Sequence, residues 1–256
     1  MSDLYLCFFL IFPIYKEYMG DSTTFRFKQF SIHHDRTAMK VGTDGVLLGA
    51  MAGKGSPKNI LEIGVGTGVV SLMLAQRFPL AKITGVEIDP DAWKQASENA
   101  QNSPWANRIE FLNTSFQDYS QHSLTKFDLI VSNPPYFSYH LKSPDPKRNL
   151  ALHTDALSFR ELASGVINLL DRGSEFWVIL PPEQMADLEK ILTTSELNVI
   201  CKNLIRDNPQ KNILRLVYGF SFLNQTSSES SLSIKQANGI YSDDYSDLMK
   251  EFLIVF

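Results

Sequence analysis

The feature that most constrains this chain is the alternation of short apolar segments with longer segments of helical periodicity. The short segments are rich in branched and aromatic residues, as buried strands are. They cover residues 59–65, 82–88, 108–114, 127–133 and 174–180. The helical segments cover residues 69–78, 90–101 and 158–170, and Asp89 and Ser158 are the expected N-caps of the last two. Alternation of this kind predicts a parallel sheet with helices on both faces.

The last part of the chain departs from this alternation. A helix is expected near residues 182–192, and two strand-like segments follow at 198–205 and 214–222. A short polar connection joins them, which predicts an antiparallel hairpin at the edge of the sheet. The Ser-rich residues 223–239 predict a long loop or a hairpin tip. The expected fold is therefore α/β, with a seven-stranded, mostly parallel sheet that includes a C-terminal antiparallel strand pair.

The composition is that of an ordinary globular protein, with 44% apolar and 20% charged residues among 256. The net charge of −4 excludes a polybasic nucleic-acid coat, so any contact with nucleic acid must use a local basic patch. Cys7 and Cys201 lack the spacing of metal ligands, and no metal site is expected. Because nothing suggests a disulfide framework, a cytoplasmic location is expected.

The N-terminus contains an apolar run at residues 4–15, interrupted by Pro13. The run is shorter than the roughly 20 residues that span a bilayer, and it lacks the basic flank and cleavage site of a signal peptide. We expect no membrane association and a translation start at Met19. Residues 1–18 are then a non-native or disordered extension, and residues 19–256 form a single domain. An extra strand and a partner-binding tail are the alternative interpretations.

A glycine-rich turn containing Gly64, Gly66 and Gly68 follows the first predicted strand. In α/β sheets ligands bind beyond the carboxyl ends of the strands, and such a turn lets a ligand approach the backbone. A tight turn that needs positive φ would explain one or two glycines without a ligand. The spacing differs from the G-x-G-x-x-G fingerprint of dinucleotide sites. Glu62, just before the turn, would repel a pyrophosphate but attract a cationic amino-acid group.

Glu87 ends the second predicted strand, about twenty residues after the turn, where a carboxylate can accept hydrogen bonds from a ribose diol. Together, Glu62 and Glu87 indicate a nucleoside with a positively charged tail. S-adenosylmethionine is such a molecule, because it carries both an ammonium and a sulfonium. A solvent-exposed charge at the end of a strand is the alternative explanation of Glu87.

The fourth predicted strand stops at Asn133, Pro134, Pro135 and Tyr136, which we expect to be the catalytic residues. The Asn133 side-chain oxygen and the Pro134 carbonyl can converge on one planar amino group. Accepting both of its hydrogens lets the nitrogen become pyramidal as it attacks, which stabilises the transition state over the ground state. Tyr136 offers a flat face on which a flipped base can stack. The alternative is that the prolines merely end the strand.

With these motifs the sequence resembles the Rossmann-like, class I S-adenosylmethionine-dependent methyltransferases that modify amino groups. More closely, it resembles the bacterial tRNA1(Val) adenine-N6 methyltransferases. The resemblance extends from about residue 25 to the C-terminus, and includes the glycine turn, residues 85–100 and residues 127–137. It implies N6-methylation of the adenine that adjoins the anticodon of a valine tRNA. S-adenosylmethionine is then the cofactor and tRNA the partner, and no obligate protein partner is expected.

The resemblance also assigns roles at the methionine end and the ribose of the cofactor. Four residues surround the methionine moiety: Glu62, Gly64, Gly66 and Gly68. Three residues belong to a segment that folds over the methionine end: Lys40, Thr43 and Asp44. Glu87 corresponds to the ribose contact.

At the adenine end of the cofactor, the resemblance implies that Ile88 packs against the base. Relatives often place an aspartate at the end of the third strand to receive the adenine amino group. Ser115 occupies that place here, with Phe116 as the stacking partner and Asp118 three residues further on. Either Ser115 or Asp118 can accept the hydrogen bond, and the choice between them stays open.

The expected RNA contacts are basic residues on two segments. They are Lys28, His33, His34 and Arg36 ahead of the glycine turn, and Lys142, Lys147 and Arg148 after Tyr136. Ordinary surface charges explain each lysine and arginine equally well, and His33 and His34 fit turn or surface residues better than ligands. The same site could instead methylate a DNA adenine, a guanine N2 or a protein glutamine amide. A cofactor-binding subunit that has lost its chemistry would show damage in the glycine turn or the Asn-Pro-Pro-Tyr motif, and both are intact.

Overall fold

The computed structural model describes residues 23–37, 40–134 and 157–256, so the expected extension and Met19 lie outside the described residues. The strands in these ranges are β1 Thr24–Arg26, β2 Ser31–His33, β3 Asn59–Ile63, β4 Lys82–Glu87, β5 Ile109–Asn113, β6 Phe127–Ser132, β7 Leu170–Leu180, β8 Asn198–Arg206, β9 Arg215–Ser221 and β10 Ser228–Ser233. The α-helices are α1 Thr43–Met51, α2 Val69–Arg77, α3 Pro90–Gln101, α4 Phe116–His122, α5 Phe159–Leu169, α6 Pro182–Thr193 and α7 Asp243–Met249. None of these helices has the length and apolar character needed to cross a membrane.

The central sheet has eight strands in the order β10-β8-β9-β7-β6-β3-β4-β5. The strands from β7 to β5 pair in parallel, whereas β9 lies between β7 and β8 and is antiparallel to both. This arrangement confirms the predicted mostly parallel sheet with a C-terminal antiparallel pair. Because β9 inserts beside β7, the pair extends the sheet and its two members continue the row of strands.

The expected count of seven strands was wrong, because the Ser-rich segment contains β10. This strand pairs in parallel with β8 at the edge of the sheet, and of its residues only Leu232 is buried. The Ser230 hydroxyl donates a hydrogen bond to Asn203 Oδ1 at 2.7 Å. Backbone pairing holds an edge strand without the apolar alternation by which strands are recognised. The small β1–β2 hairpin, Thr24–Arg26 with Ser31–His33, is a further pair that the sequence pattern did not reveal.

Two hydrophobic clusters cover the two faces of the sheet. Along β6, Leu129 and Val131 belong to one cluster and Ile130 to the other, as expected where successive side chains point to opposite faces. The first cluster receives α1 and α2, and the second receives α5 and α6. Helices therefore lie on both faces, which explains why the central strands are apolar throughout.

Side-chain caps set the first residues of the best-predicted helices. The Asp89 side chain accepts a hydrogen bond from the Asp91 N–H at 2.9 Å and begins α3, whose bounds match the prediction. Ser158 and Glu161 form a reciprocal capping box at the start of α5. Both predicted N-caps are confirmed. Each satisfies backbone donors that the helix itself cannot pair.

Two arginines satisfy carbonyl groups at the ends of helices. Arg77 Nη1 donates to the carbonyls of Gly49 and Ala52 at 2.9 and 2.6 Å, where α1 ends. Arg108 likewise reaches the Ala75 carbonyl at 2.9 Å, near the end of α2. Burial lowers the pKa of Arg77 to about 10. These cations stabilise the two helices that flank the glycine turn.

The antiparallel insertion of β9 depends on a close approach between Trp177 and Gly219, which lie directly opposite each other on β7 and β9. A methyl group on Gly219 would lie 2.8 Å from an indole carbon of Trp177. We expect Gly219→Ala to lower the free energy of unfolding by about 1–3 kcal/mol, as overpacking of a core does. Urea unfolding of the two proteins measures this difference.

The matched control places the same substitution in a Trp177→Leu background. Because the clashing ring is then absent, Gly219→Ala should cost less in that background than in the native one. Equal costs in the two backgrounds would contradict the proposed steric origin.

Candidate functional site

The register of the sheet brings the ends of the central strands to one edge. Ile63 at the end of β3 is paired with Val86 on β4 and with Ser132 on β6. The glycine turn, Glu87 and Asn133 therefore follow these strands at the same carboxyl edge. In parallel α/β sheets this edge is where ligands bind, at the point where the strand order reverses. Here the order reverses between β3 and β6.

The glycine turn has a backbone that other residues adopt only with strain. Gly64, Gly66 and Gly68 have φ values of 75°, 55° and 83°, so the conformational requirement alone explains the glycines. Among the residues that the structure describes, no atom lies within 4 Å of a Cβ built on Gly64 or Gly66. These residues therefore leave space beside the turn into which a ligand can approach the backbone.

Glu62 is buried beneath the start of α2. Its side chain is 3% exposed, and Oε2 accepts a hydrogen bond from the Ser71 N–H at 2.9 Å and another from the Ser71 hydroxyl. Burial raises the pKa of Glu62 to about 8, helped by the negative charge of Glu87 and opposed by the Ser71 hydrogen bonds. A nearby cation would compensate the buried carboxylate. The contact of Glu62 with the methionine moiety of a cofactor stays a prediction.

Glu87 supports the glycine turn from the end of β4. Its Oε2 accepts a hydrogen bond from the Gly66 N–H at 2.9 Å, and its Oε1 accepts one from the Asp89 N–H at 3.0 Å. Each carboxylate oxygen can accept a second hydrogen bond, so these contacts leave room for ribose hydroxyls. The adjacent Ile88 is 56% exposed. The contacts of Glu87 with a ribose and of Ile88 with an adenine stay predictions.

At the end of β5 the three predicted residues have structural partners. The Ser115 hydroxyl accepts a hydrogen bond from the Asp118 N–H at 3.0 Å and donates to Asp118 Oδ2 at 2.7 Å, so it caps α4. Phe116 is 5% exposed, and a methyl group on Gly165 would lie 2.5 Å from its ring. The ring thus packs between α4 and α5 in the core, and its stacking on an adenine stays a prediction. Ser115 and Asp118 remain alternatives.

The predicted residues Lys40, Thr43 and Asp44 lie at or just ahead of the start of α1. Thr43 is the first residue of this helix, and Lys40 lies exposed ahead of it. Asp44 forms an ion pair with Arg215 at the start of β9, with an Nε–Oδ2 distance of 2.8 Å. This pair ties the start of α1 to the carboxyl edge of the sheet. The contact of the three predicted residues with a cofactor stays a prediction.

Asn133 and Pro134, the predicted acceptors of the amino group, begin the turn that follows β6 directly, which we call the acceptor turn. The buried Ser132 hydroxyl donates to the Ile63 carbonyl at 3.1 Å and fastens the end of β6 to β3. Asn133 is half-buried and Pro134 is buried. Pro135 and Tyr136 lie outside the described residues, as do the basic residues Lys142, Lys147 and Arg148.

The basic residues expected to hold RNA ahead of the glycine turn have intramolecular roles. Lys28 Nζ donates to the Lys250 carbonyl at 2.5 Å, and Arg36 forms an ion pair with Glu98 at 2.9 Å. His34 is only 3% exposed. The two contacts and the burial of His34 favour structural roles for the three residues, and their RNA contacts stay predictions. Within the described residues there is also no group of three or more His, Cys, Asp or Glu that could hold a metal ion.

The sequence reasoning missed polar residues that support the site through backbone groups. Asn113 Nδ2 donates to the carbonyls of Glu87 and Ile88 at 2.9 and 3.2 Å. Ser71 binds Glu62, and Asn99 binds the glycine turn through the Thr67 carbonyl at 2.9 Å. The position of Asn113 at a strand end is a signal that could have found it. Ser71 and Asn99 lie within helices, where a polar residue gives no such signal.

Known proteins share the fold described above. Residues 60–158 match a family model described as a methyltransferase domain. A predicted O-methyltransferase from Agrobacterium tumefaciens has the same fold, with a TM-score of 0.65 and 17% identity over 82% of this chain and 96% of that one. The class of protein is thus a methyltransferase of the α/β type.

Curated relatives give the family. The tRNA1(Val) (adenine(37)-N6)-methyltransferase of Pedobacter heparinus is 41% identical over 91% of this chain and 98% of its own length. The enzyme of the same name from Bacteroides fragilis is 44% identical over 90% of this chain and 97% of its own length. The chain belongs to the tRNA1(Val) (adenine(37)-N6)-methyltransferase family.

The buried carboxyl of Glu62 predicts an unusual pH dependence of stability. The folded pKa of about 8 lies above the ordinary value of 4.5, so the folded protein binds the extra proton between these values. Stability should therefore fall as pH rises from about 5 to 8, by at most about 1.4 kcal/mol per pH unit from this group. In Glu62→Gln this contribution is absent, so the variant should gain stability relative to the native protein as pH rises.

Urea unfolding of the cofactor-free proteins at several pH values measures this difference. Glu110→Gln, at an exposed position of β5, is the matched control. A Glu62→Gln difference that is constant from pH 5 to 8 would contradict the assignment.

Proposed function

We propose that this protein transfers a methyl group from S-adenosylmethionine to N6 of an adenine in tRNA, namely adenine 37 of tRNA1(Val). The observation that carries the proposal is the strand register, which sets the glycine turn, Glu87 and Asn133 on one edge of the sheet. Membership of a family whose curated relatives bear this activity in their names supports the choice of substrate.

The residues of the edge fit S-adenosylmethionine. The open space beside Gly64 and Gly66 admits a ligand next to the backbone, and Glu87 with Ile88 offers partners for a ribose and an adenine. The buried carboxyl of Glu62 would ionise when the cationic amino-acid end binds beside it, because a nearby positive charge favours the carboxylate. When bound, the cofactor supplies a methyl group on a sulfonium, whose departure leaves a neutral thioether.

The acceptor turn binds the adenine amino group through two oxygen atoms. The Asn133 side-chain oxygen and the Pro134 carbonyl each accept one of its hydrogens, and the nitrogen lone pair is thereby released from the ring. With the cofactor bound, the nitrogen held by these two acceptors would be oriented to receive its methyl group, and the surplus proton would pass to solvent. Because the leaving group is neutral, alignment and these two acceptors account for the catalysis. Tyr136 stacks on the flipped base.

The tRNA, by this proposal, lies over the carboxyl edge of the sheet, and the protein acts where tRNA is found, in the cytoplasm. DNA adenine, guanine N2 and a glutamine amide present the same planar amino group and are the competing acceptors. Mass spectrometry of nucleosides from purified tRNA, in cells with and without the gene, separates them. Loss of N6-methyladenosine from tRNA1(Val) is expected, and an unchanged level would overturn the choice of substrate.

Asn133→Ala tests the acceptor role. Since one of two hydrogen-bond acceptors at the reacting nitrogen is lost, turnover should fall by roughly 10²- to 10³-fold, as for other preorganised groups of this kind. Transfer of a labelled methyl group to a tRNA1(Val) transcript measures the rate. Asn238→Ala, in the exposed loop after β10, is the control that should retain activity. If Asn133→Ala turns over like this control, the role assigned to Asn133 is wrong.

Ile88→Ser tests the adenine contact separately from catalysis. The side chain is 56% exposed, so the change should affect the free energy of unfolding little. Loss of apolar contact with the base should weaken S-adenosylmethionine binding by about tenfold, equivalent to roughly 1.4 kcal/mol. Isothermal titration calorimetry measures the affinity. An unchanged affinity would place the adenine elsewhere.

A further inference from the structure

One helix carries two buried amide side chains that lie outside the proposed contacts with cofactor and substrate. Gln95 and Asn99 are one helical turn apart on α3, and each is 1% exposed. A buried amide is costly unless its donors and acceptors are paired. Both side chains are paired with the backbone or side chains of residues 33–36, which we call the anchor segment.

Asn99 binds both backbone groups of one residue in the anchor segment, His33. The His33 N–H donates to Asn99 Oδ1 at 2.9 Å, and Asn99 Nδ2 donates to the His33 carbonyl at 2.9 Å. This pairing imitates the pattern between neighbouring strands, with a side-chain amide in place of a peptide. The anchor segment leads on to Lys40, Thr43 and Asp44, the residues expected over the methionine end of the cofactor.

The same amide also reaches the glycine turn. Asn99 Nδ2 donates a second hydrogen bond, at 2.9 Å, to the carbonyl of Thr67, which lies between Gly66 and Gly68. The Gly66 N–H in turn donates to Glu87. The buried side chain of Asn99 therefore connects the backbone of the glycine turn with the anchor segment.

We infer that Asn99 is a positioning residue that couples the anchor segment to the glycine turn, so that cofactor binding orders both together. This inference rests on the proposed binding of S-adenosylmethionine at the turn. Coupling of this kind is reciprocal. Loss of the Asn99 hydrogen bonds to the anchor segment should weaken cofactor binding, and the bound cofactor should stabilise the anchor segment.

Gln95 provides a matched control on the same face of α3. Its Oε1 accepts a hydrogen bond from the Arg36 N–H at 3.0 Å, and its Nε2 donates to Asp35 Oδ1 at 2.6 Å. It is as deeply buried as Asn99 and holds the same anchor segment, but these bonds do not involve the glycine turn. A purely structural role would give Asn99→Ala and Gln95→Ala the same consequences.

The test compares the two variants by calorimetry with S-adenosylmethionine and by methyl-transfer kinetics. For Asn99→Ala we expect the Kd and the KM for the cofactor to rise roughly tenfold, within the range of typical couplings, with kcat at saturating cofactor unchanged. For Gln95→Ala we expect the Kd to stay within about twofold of the native value. Equal Kd values for native protein and Asn99→Ala, or equal weakening in both variants, would overturn the inference.

Hydrogen exchange in the native protein gives an answer even if Asn99→Ala does not fold. The His33 N–H can exchange only when its bond to Asn99 opens, so S-adenosylmethionine should slow its exchange at least severalfold. An unchanged exchange rate with the cofactor bound would overturn the inference. A native protein that binds no S-adenosylmethionine in calorimetry would instead overturn the proposed function, and the inference with it.

Discussion

The parallel pairing of β3 with both β4 and β6 is the constraint on which the candidate site depends. Because all three strands run the same way and stay in register, their last residues meet at one edge, and the chain must turn there three times. The turns bring together a backbone open to ligands, a carboxylate that holds it, and an amide followed by proline. These groups are far apart in the sequence, and only the register makes them neighbours.

Charged side chains have different roles at the two ends of the parallel strands. Arg77 and Arg108 donate to the carbonyls of helix ends, where they stabilise the fold. Glu62 is a buried acid whose carboxylate is paired only with Ser71 donors in the described contacts, and its pKa is raised by burial. Such a group costs stability at neutral pH, and a cationic ligand beside it would remove that cost. The contact with such a ligand stays a prediction.

The sequence predicted those elements that carry their own local signals. Asp89 marked the first residue of α3 by capping it, and the apolar central strands indicated a sheet covered on both faces. The sequence did not predict β10, because its backbone pairs with β8 while its side chains are mostly serine. Apolar character alone did not show that Phe116 packs against α5. The role of Asn99 was hidden because its partner His33 lies 66 residues away, and such contacts exist only once the chain has folded.

The serine-rich strand β10 also determines how this sheet ends. An uncovered outer strand offers a row of unpaired amides and carbonyls to which another polypeptide can add. β8 is protected because β10 occupies that row, and β10 itself is short and exposes four of its six residues, all serine or glutamate. A neighbouring molecule at this edge of the sheet would find few apolar side chains to bury. The same polar composition that conceals the strand from sequence reading thus leaves little apolar surface on β10 for another chain to cover.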